Sequence, residues 1–188
     1  WEENKDSNYS GIIALDVYKN GQVIGKELLN KKSTTLSGYY KNGGQGDKKL
    51  IYRTEIINKY PPYPEFEGEK FVPLDYKYLL ADQDYSLLIL NKPVCIVEYL
   101  QDGSTNNIFN QFMNNPKGYA FLRKERMKYC KSFKWKFKSC IHYVFTSIIL
   151  KNRQFIKESP KKVLTIVSIP FGIILYFYIK YKASKETI

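Results

Sequence analysis

The residues whose types most clearly suggest a binding function lie in the stretch RKERMKYCKSFKWKFKSC, residues 123–140, where basic and aromatic side chains are interleaved. Lysine and arginine bind phosphate oxygens, and aromatic rings enter a lipid interface or stack on unpaired bases. The stretch therefore predicts a site for an anionic ligand. The predicted contact residues are Arg123, Lys124, Arg126, Lys128, Lys131, Lys134, Trp135, Lys136 and Lys138.

Two ligands suit this pattern. Anionic phospholipid is favoured because the stretch comes shortly before a long apolar segment, and each basic residue near an anionic surface contributes about 1 kcal/mol. RNA is the alternative, since the same side chains contact phosphates and stack on bases. A solvated basic helix that only fixes the orientation of the chain is the third interpretation.

Other motifs do not form a catalytic set. GGQGDKK, residues 43–49, lacks the Ser or Thr that follows lysine in a phosphate-binding loop, and a strand is predicted after it. His142 is the single histidine, and Cys140 lies on a different helical azimuth, so neither completes a metal site. Three cysteines do not define a disulfide framework. We predict no enzyme activity, no cofactor and no metal.

Charge is distributed unevenly along the chain. Residues 1–116 hold 13 Lys/Arg against 15 Asp/Glu, residues 117–162 hold 14 against 2, and residues 163–188 hold 3 against 1. The net charge of +12 therefore comes from the middle segment. Positive segments stay on the cytoplasmic or matrix side of a membrane, which predicts that the N-terminal part lies on that side.

The apolar segment Val163–Ile179 contains no charged side chain. Seventeen helical residues are nearly long enough to cross the hydrocarbon core, and lysines snorkel to make up the difference. A transmembrane helix over residues 161–181 is predicted, with a short tail over 182–188; a buried core helix is the alternative. The predicted membrane-flanking residues are Lys161, Lys162, Lys180 and Lys182.

Residues 1–116 are predicted to form a small antiparallel β domain, as a barrel, roll or sandwich. Asn20-Gly21 is the strongest local signal, because this dipeptide supplies the two positive φ angles of a type I′ hairpin. The predicted strands are Ile12–Tyr18, Gln22–Leu29, Thr35–Tyr40, Lys49–Ile57, Tyr85–Leu90, Val94–Leu100 and Ile108–Phe112.

A helical pattern follows the turn-forming residues 114–118. Apolar side chains recur at steps of three or four from Cys130 to Ile148, which predicts a basic amphipathic helical segment over 117–160 at the membrane surface. The predicted fold class is therefore α+β, with a β domain, an amphipathic helix and a C-terminal transmembrane helix.

These features favour a non-catalytic accessory or scaffold subunit of a multi-subunit membrane complex, in a hetero-oligomer with other membrane-protein subunits. The chain opens at Trp1 without Met, and with the basic flank this favours the mitochondrial inner membrane. A tail anchor in the ER or outer mitochondrial membrane is the alternative location. The alternative functions are a membrane tether for an RNA-containing particle such as a ribosome, and a carrier domain for a small apolar ligand.

Overall fold

The computed structural model describes residues 8–100, 103 and 105–186. Its contacts divide the chain into two compact units, one with residues 8–62 and 77–99 and the other with residues 63–76 and 100–186. The first unit contains the sheet and the second is helical. The α+β class predicted from the sequence is confirmed. The last two residues of the predicted tail lie outside the described residues.

The sheet unit is built around four strands in the described part of the chain. The strands are β1 Tyr9–Val17, β2 Ser33–Thr34, β3 Lys48–Tyr52 and β4 Ser86–Ile96. The helices that accompany them in sequence are α1 Leu36–Lys41, α2 Thr54–Ile57 and α3 Asp75–Asp84.

The sheet is mixed, with strand order β2-β4-β1-β3. β1 pairs antiparallel with β3 but parallel with β4. The prediction of a purely antiparallel domain is therefore wrong. A parallel pair needs a long crossover, and the helices between β3 and β4 lie within that connection. The central strands also read as nearly continuous apolar runs, a pattern typical of strands buried on both faces.

The predicted strand Thr35–Tyr40 is instead helix α1. Thr35 caps it by accepting a hydrogen bond from the Gly38 N–H at 2.9 Å. The Asp82 carboxylate, supplied by α3, accepts from the Leu36 N–H at 3.0 Å and the Ser37 N–H at 2.7 Å. Since these bonds satisfy amides that a helix start leaves unpaired, distant capping overrides the local strand preference.

Two further strand predictions fail for different reasons. Asn91–Pro93 does not divide Tyr85–Leu90 from Val94–Leu100, because the register of β4 shifts there in a bulge and the strand continues. Residues 108–112 lie in a helix, where the Phe112 ring packs 4.6 Å from the Tyr119 ring. Phe109 and Phe112 are three residues apart, a spacing that fits one face of a helix but not one face of a strand.

The Asn20-Gly21 turn has a different geometry from the predicted one. The Gly21 N–H donates to the Tyr18 carbonyl and the Tyr18 N–H donates to the Gln22 carbonyl, both at 2.9 Å. Gly21 has φ +82°, but Asn20 does not have a positive φ. These bonds define a three-residue loop with a glycine bulge rather than a type I′ turn. Beyond it, pairing is limited to a bridge between Val17 and Val23.

The second unit is a set of helices. They are α4 Ile108–Asn114, α5 Pro116–Tyr129, α6 Phe133–Ile149, α7 Phe155–Glu158, α8 Lys162–Val167 and α9 Ile169–Glu186. Its core contains Ala120, Met127, Cys140 and Tyr143. Cys130 has an extended backbone, so the predicted apolar stripe from Cys130 to Ile148 is interrupted before α6 begins.

The prediction of a single-pass transmembrane helix is wrong. Among the described residues, no helix combines the length and apolar character needed to cross a membrane. Val163–Ile179 is divided at Ser168 into α8 and α9, and α9 continues into the lysine-containing tail. One face of α9 also packs on α6, with Ile179 only 1% exposed.

Candidate functional site

The predicted anion-contact residues lie on two packed helices rather than on one. Arg123, Lys124, Arg126 and Lys128 belong to the second half of α5, Lys131 lies in the connection, and the remaining residues belong to the first half of α6. α5 and α6 pack against each other. The structure therefore brings most of the predicted set into one helical pair but gives its members different environments.

Three of these cations are already paired with carboxylates. Arg126 forms an ion pair with Asp75, Lys128 Nζ lies 2.6 Å from Glu125 Oε1, and Lys124 Nζ lies 3.6 Å from Glu158 Oε2. Lys131, Lys134 and Lys138 are exposed to solvent, whereas Trp135 and Lys136 are half-buried.

Arg123 is the exception in the set, because its side chain is buried and the residue is only 8% exposed. Its Nε has no hydrogen-bond partner in the described part of the chain. Burial, and to a smaller extent Arg126, lower the pKa of the Arg123 guanidinium to about 9, against the opposing effect of Asp75. The group still carries its positive charge at neutral pH.

The cations form two facing rows. Arg123 and Arg126 are three residues apart on α5, and Lys134, Lys138 and His142 follow at steps of four on α6, so each row occupies one helical face. Burial, and to a smaller extent Arg123, Lys138 and Arg126, lower the pKa of His142 to about 3. His142 is therefore neutral at physiological pH.

The outer face of α8 and α9 is apolar and exposed. Ile174 is 67% exposed and Val163 is 77% exposed, and the series recurs at helical spacing. We define this outer face by its members, which are Val163, Ile166, Val167, Phe171, Ile173, Ile174, Phe177, Tyr178 and Tyr181.

The opposite face of the same helices is formed by small side chains turned toward α6. The small residues Thr165, Ser168 and Gly172 occupy it, Ile179 and Ala183 continue it, and all five residues are buried. A Cβ added to Gly172 would lie 2.5 Å from the Val144 side chain of α6. The close approach leaves the larger apolar residues on the outside.

The outer face continues onto the start of α6. The Phe171 ring lies 5.7 Å from the Phe137 ring, which in turn stacks on Phe133 at 6.4 Å. Phe133 is 70% exposed. The apolar surface therefore reaches the exposed lysines Lys134 and Lys138.

Lysines also lie at both ends of the outer face, including all four predicted flanking residues. Lys161 and Lys162 precede or begin α8, and Lys180 and Lys182 lie near the end of α9. Lys180 Nζ and Lys182 Nζ each lie 5.9 Å from the ring centroid of a tyrosine four residues earlier. The combination is an apolar strip with cations at its margins.

The other sequence motifs have structural roles. The glycine-rich loop connects α1 to β3 rather than two strands, and Lys48 Nζ donates to the carbonyls of Ile24, Gln45 and Asp47. Within the ranges that the structure describes, three or more His, Cys, Asp or Glu side chains do not gather in a way that could hold a metal ion.

Sequence reasoning missed two features of this site. Asp75 lies 51 residues from Arg126, so no local pattern indicates the pair. The burial of Arg123 follows from the packing of α5 on α6, which the prediction of one long helix excluded. Comparison with protein-family models, with curated proteins and with solved structures finds no match to this chain.

Proposed function

We propose that this protein binds the surface of an anionic membrane without crossing it, with the outer face of α8 and α9 lying in the lipid interface. The observation that carries the proposal is the row of nine large apolar side chains that the described structure leaves exposed on these two helices. Contiguous apolar patches of this kind mark sites of interaction with membranes or proteins.

Charge complementarity favours a bilayer as the occupant. Lys161 and Lys162 lie at one end of the outer face, Lys180 and Lys182 lie at the other, and Lys134 stands where the face meets α6. An interfacial helix places its apolar side about 5–10 Å into the headgroup and acyl boundary, where lysines reach anionic headgroups. Aromatic rings such as those of Tyr178 and Tyr181 also favour that depth.

The expected free energies of contact with the bilayer are sufficient for reversible binding. A large apolar side chain contributes up to about 1.5–3 kcal/mol when it is fully removed from water, and a lysine near an anionic surface about 1 kcal/mol. Only part of each side chain is buried at an interface, but several act together. Removing one large member of the face should therefore weaken binding measurably without abolishing it.

The test compares two isoleucines of equal exposure. Ile174 and Ile96 are each 67% exposed, but Ile96 lies at the end of β4 in the other unit. We expect Ile174→Glu to weaken binding of the full chain to phosphatidylglycerol vesicles by roughly 2 kcal/mol, about thirty-fold in affinity. Ile96→Glu should leave binding unchanged. Equal effects of the two variants, or none, would contradict the proposal.

Ile174→Glu and one further variant, Trp135→Ala, distinguish lipid from other partners of the outer face. If the purified chain forms a dimer that Ile174→Glu dissociates, the outer face binds a second copy rather than lipid. If RNA displaces the chain from vesicles and Trp135→Ala weakens RNA binding more than lipid binding, the RNA-tether function gains support. Salt dependence does not separate these cases, because lipid and RNA both respond to it.

Our proposal for the wider role is the one the sequence favours, an accessory subunit of a membrane complex, with the mitochondrial inner membrane as the expected location. The 17 tyrosines of the chain support it, because tyrosine is enriched in protein interfaces. Identification of the proteins that copurify with the full chain tests it, and a protein that purifies alone as a monomer would count against it.

A further inference from the structure

The two facing rows of cations on α5 and α6 carry more charge than the structure balances. We call Arg123, Arg126, Lys134 and Lys138 the cationic cluster. Of the carboxylates in the described residues, only Asp75 forms an ion pair with any of its members, and that pair occupies Arg126. The cluster therefore holds four positive charges against one negative charge.

The buried member of the cluster lacks a structural explanation. Arg123 is more than nine-tenths buried and its Nε has no hydrogen-bond partner among the described residues. An unpaired buried charge is costly, and an apolar side chain of similar length would fill the same space at lower cost. An unsatisfied buried polar group calls for an explanation, and a bound ion is one such explanation.

The geometry suits a phosphate group. A guanidinium offers a planar fork of N–H donors that matches phosphate oxygens, whereas lysines act as mobile point charges. Arg123 supplies such a fork from the interior, and the exposed Lys134 and Lys138 stand at the solvent side of the same helical pair. Lys134 also adjoins Phe133 at the margin of the apolar surface.

We propose that the cationic cluster binds a phosphate group that carries two or more negative charges, as in a phosphomonoester or a diphosphate. The surplus of three positive charges matches such a group better than the single charge of a phosphodiester. The phosphate belongs either to a lipid headgroup or to a free anion. The lipid source rests on the proposed membrane binding, and the free-anion source does not.

The experiment has a soluble arm and a vesicle arm, both with the full chain. In the first, inorganic phosphate and pyrophosphate are titrated while the melting temperature is followed. In the second, binding to phosphatidylcholine vesicles that contain phosphatidate is compared with binding to vesicles that contain phosphatidylglycerol at equal surface charge. The wild type is compared with Arg123→Met, with Lys138→Gln as a surface variant and with Lys41→Gln, at an exposed lysine of the sheet unit, as the matched control.

A pyrophosphate-dependent rise in melting temperature that Arg123→Met abolishes supports a free-anion ligand. If the chain prefers phosphatidate vesicles and Arg123→Met removes this preference, while pyrophosphate does not change the melting temperature, the ligand is a lipid headgroup. Lys138→Gln should weaken binding of the same ligand roughly ten-fold, as expected from the loss of one charge-assisted contact, whereas Lys41→Gln should leave it unchanged. Arg123→Met should also raise the melting temperature without ligand, because it removes an uncompensated buried charge.

The proposal is overturned if neither arm shows an effect that depends on Arg123 or Lys138. In that case the membrane-binding proposal still stands, provided that Ile174→Glu weakens the affinity for vesicles. Conversely, pyrophosphate could raise the melting temperature in an Arg123-dependent way while the Ile174→Glu variant binds vesicles as the wild type does. That result supports the phosphate site and contradicts the membrane proposal.

Discussion

Gly172→Val tests whether α9 packs on α6 by its small-residue face. On a helix free of neighbours, valine is slightly more favourable than glycine, by about 0.3 kcal/mol. In the folded chain a Cβ at this position would lie 2.5 Å from the Val144 side chain and 3.0 Å from the Ile141 carbonyl oxygen. Overpacking of this kind costs about 1–3 kcal/mol, and valine adds two further methyl groups beyond the Cβ. We expect a net destabilisation of about 2 kcal/mol.

Hydrogen exchange of the full chain, resolved by peptide, measures the local stability of each helix separately. Protection should fall in peptides from α6 and α9 and remain unchanged in β4. Ser184→Val is the matched control, since Ser184 is exposed on α9. If Gly172→Val leaves protection unchanged or raises it, α9 does not pack on α6 through this face, and the arrangement that exposes the outer face has no support.

The remaining predictions concern turns, pH and charge. Gly21→Val should destabilise the fold by more than about 1 kcal/mol because of the positive φ of Gly21. Gly44→Ala should show a comparable loss in urea melts, because its Cβ would lie 2.5 Å from the buried Tyr39 ring. Because the pKa of His142 falls from 6.5 when unfolded to about 3 when folded, the unfolded chain binds the proton first and stability is lost as the pH drops from 6.5 toward 3. His142→Gln should remove that part of the acid destabilisation in melts across this range, and an unaltered pH profile would refute the assignment. Replacing three exposed lysines near α6 by Gln should weaken binding to anionic vesicles by about 1 kcal/mol each at low salt, whereas three exposed lysines of the sheet unit should matter less. The first set is Lys131, Lys134 and Lys138, and the control set is Lys26, Lys31 and Lys41.

Local signals predicted part of the fold. The mixed helix and strand content follows from short-range periodicity, and the positive φ of Gly21 follows from the residue type. The strand partners do not follow, because parallel pairing of β1 with β4 depends on a connection of many residues. The local sequence did not indicate helix α1 either, since the start of this helix is capped by Asp82, which lies 46 residues from Leu36.

The candidate site was predicted in composition but not in geometry. Hydropathy marks Val163–Ile179 as apolar, yet it does not distinguish a spanning helix from two helices with one packed face. Thr165, Ser168 and Gly172 recur on that packed face, and this small-residue spacing was the available signal. The sequence marks residues 123–140 as basic and aromatic, but nothing local indicates that Arg123 is buried while Lys138 is exposed.

Depth-dependent fluorescence quenching tests the membrane proposal most directly. In a variant with Trp1 and Trp135 changed to Phe and Ile174 changed to Trp, the single indole reports the position of the outer face in bound vesicles. We predict strong quenching by lipids brominated near the headgroup end of the acyl chain and weak quenching by lipids brominated at the bilayer centre, as an interfacial depth of about 5–10 Å requires. Absence of quenching by either lipid, as expected for Trp at position 96, would contradict the proposal.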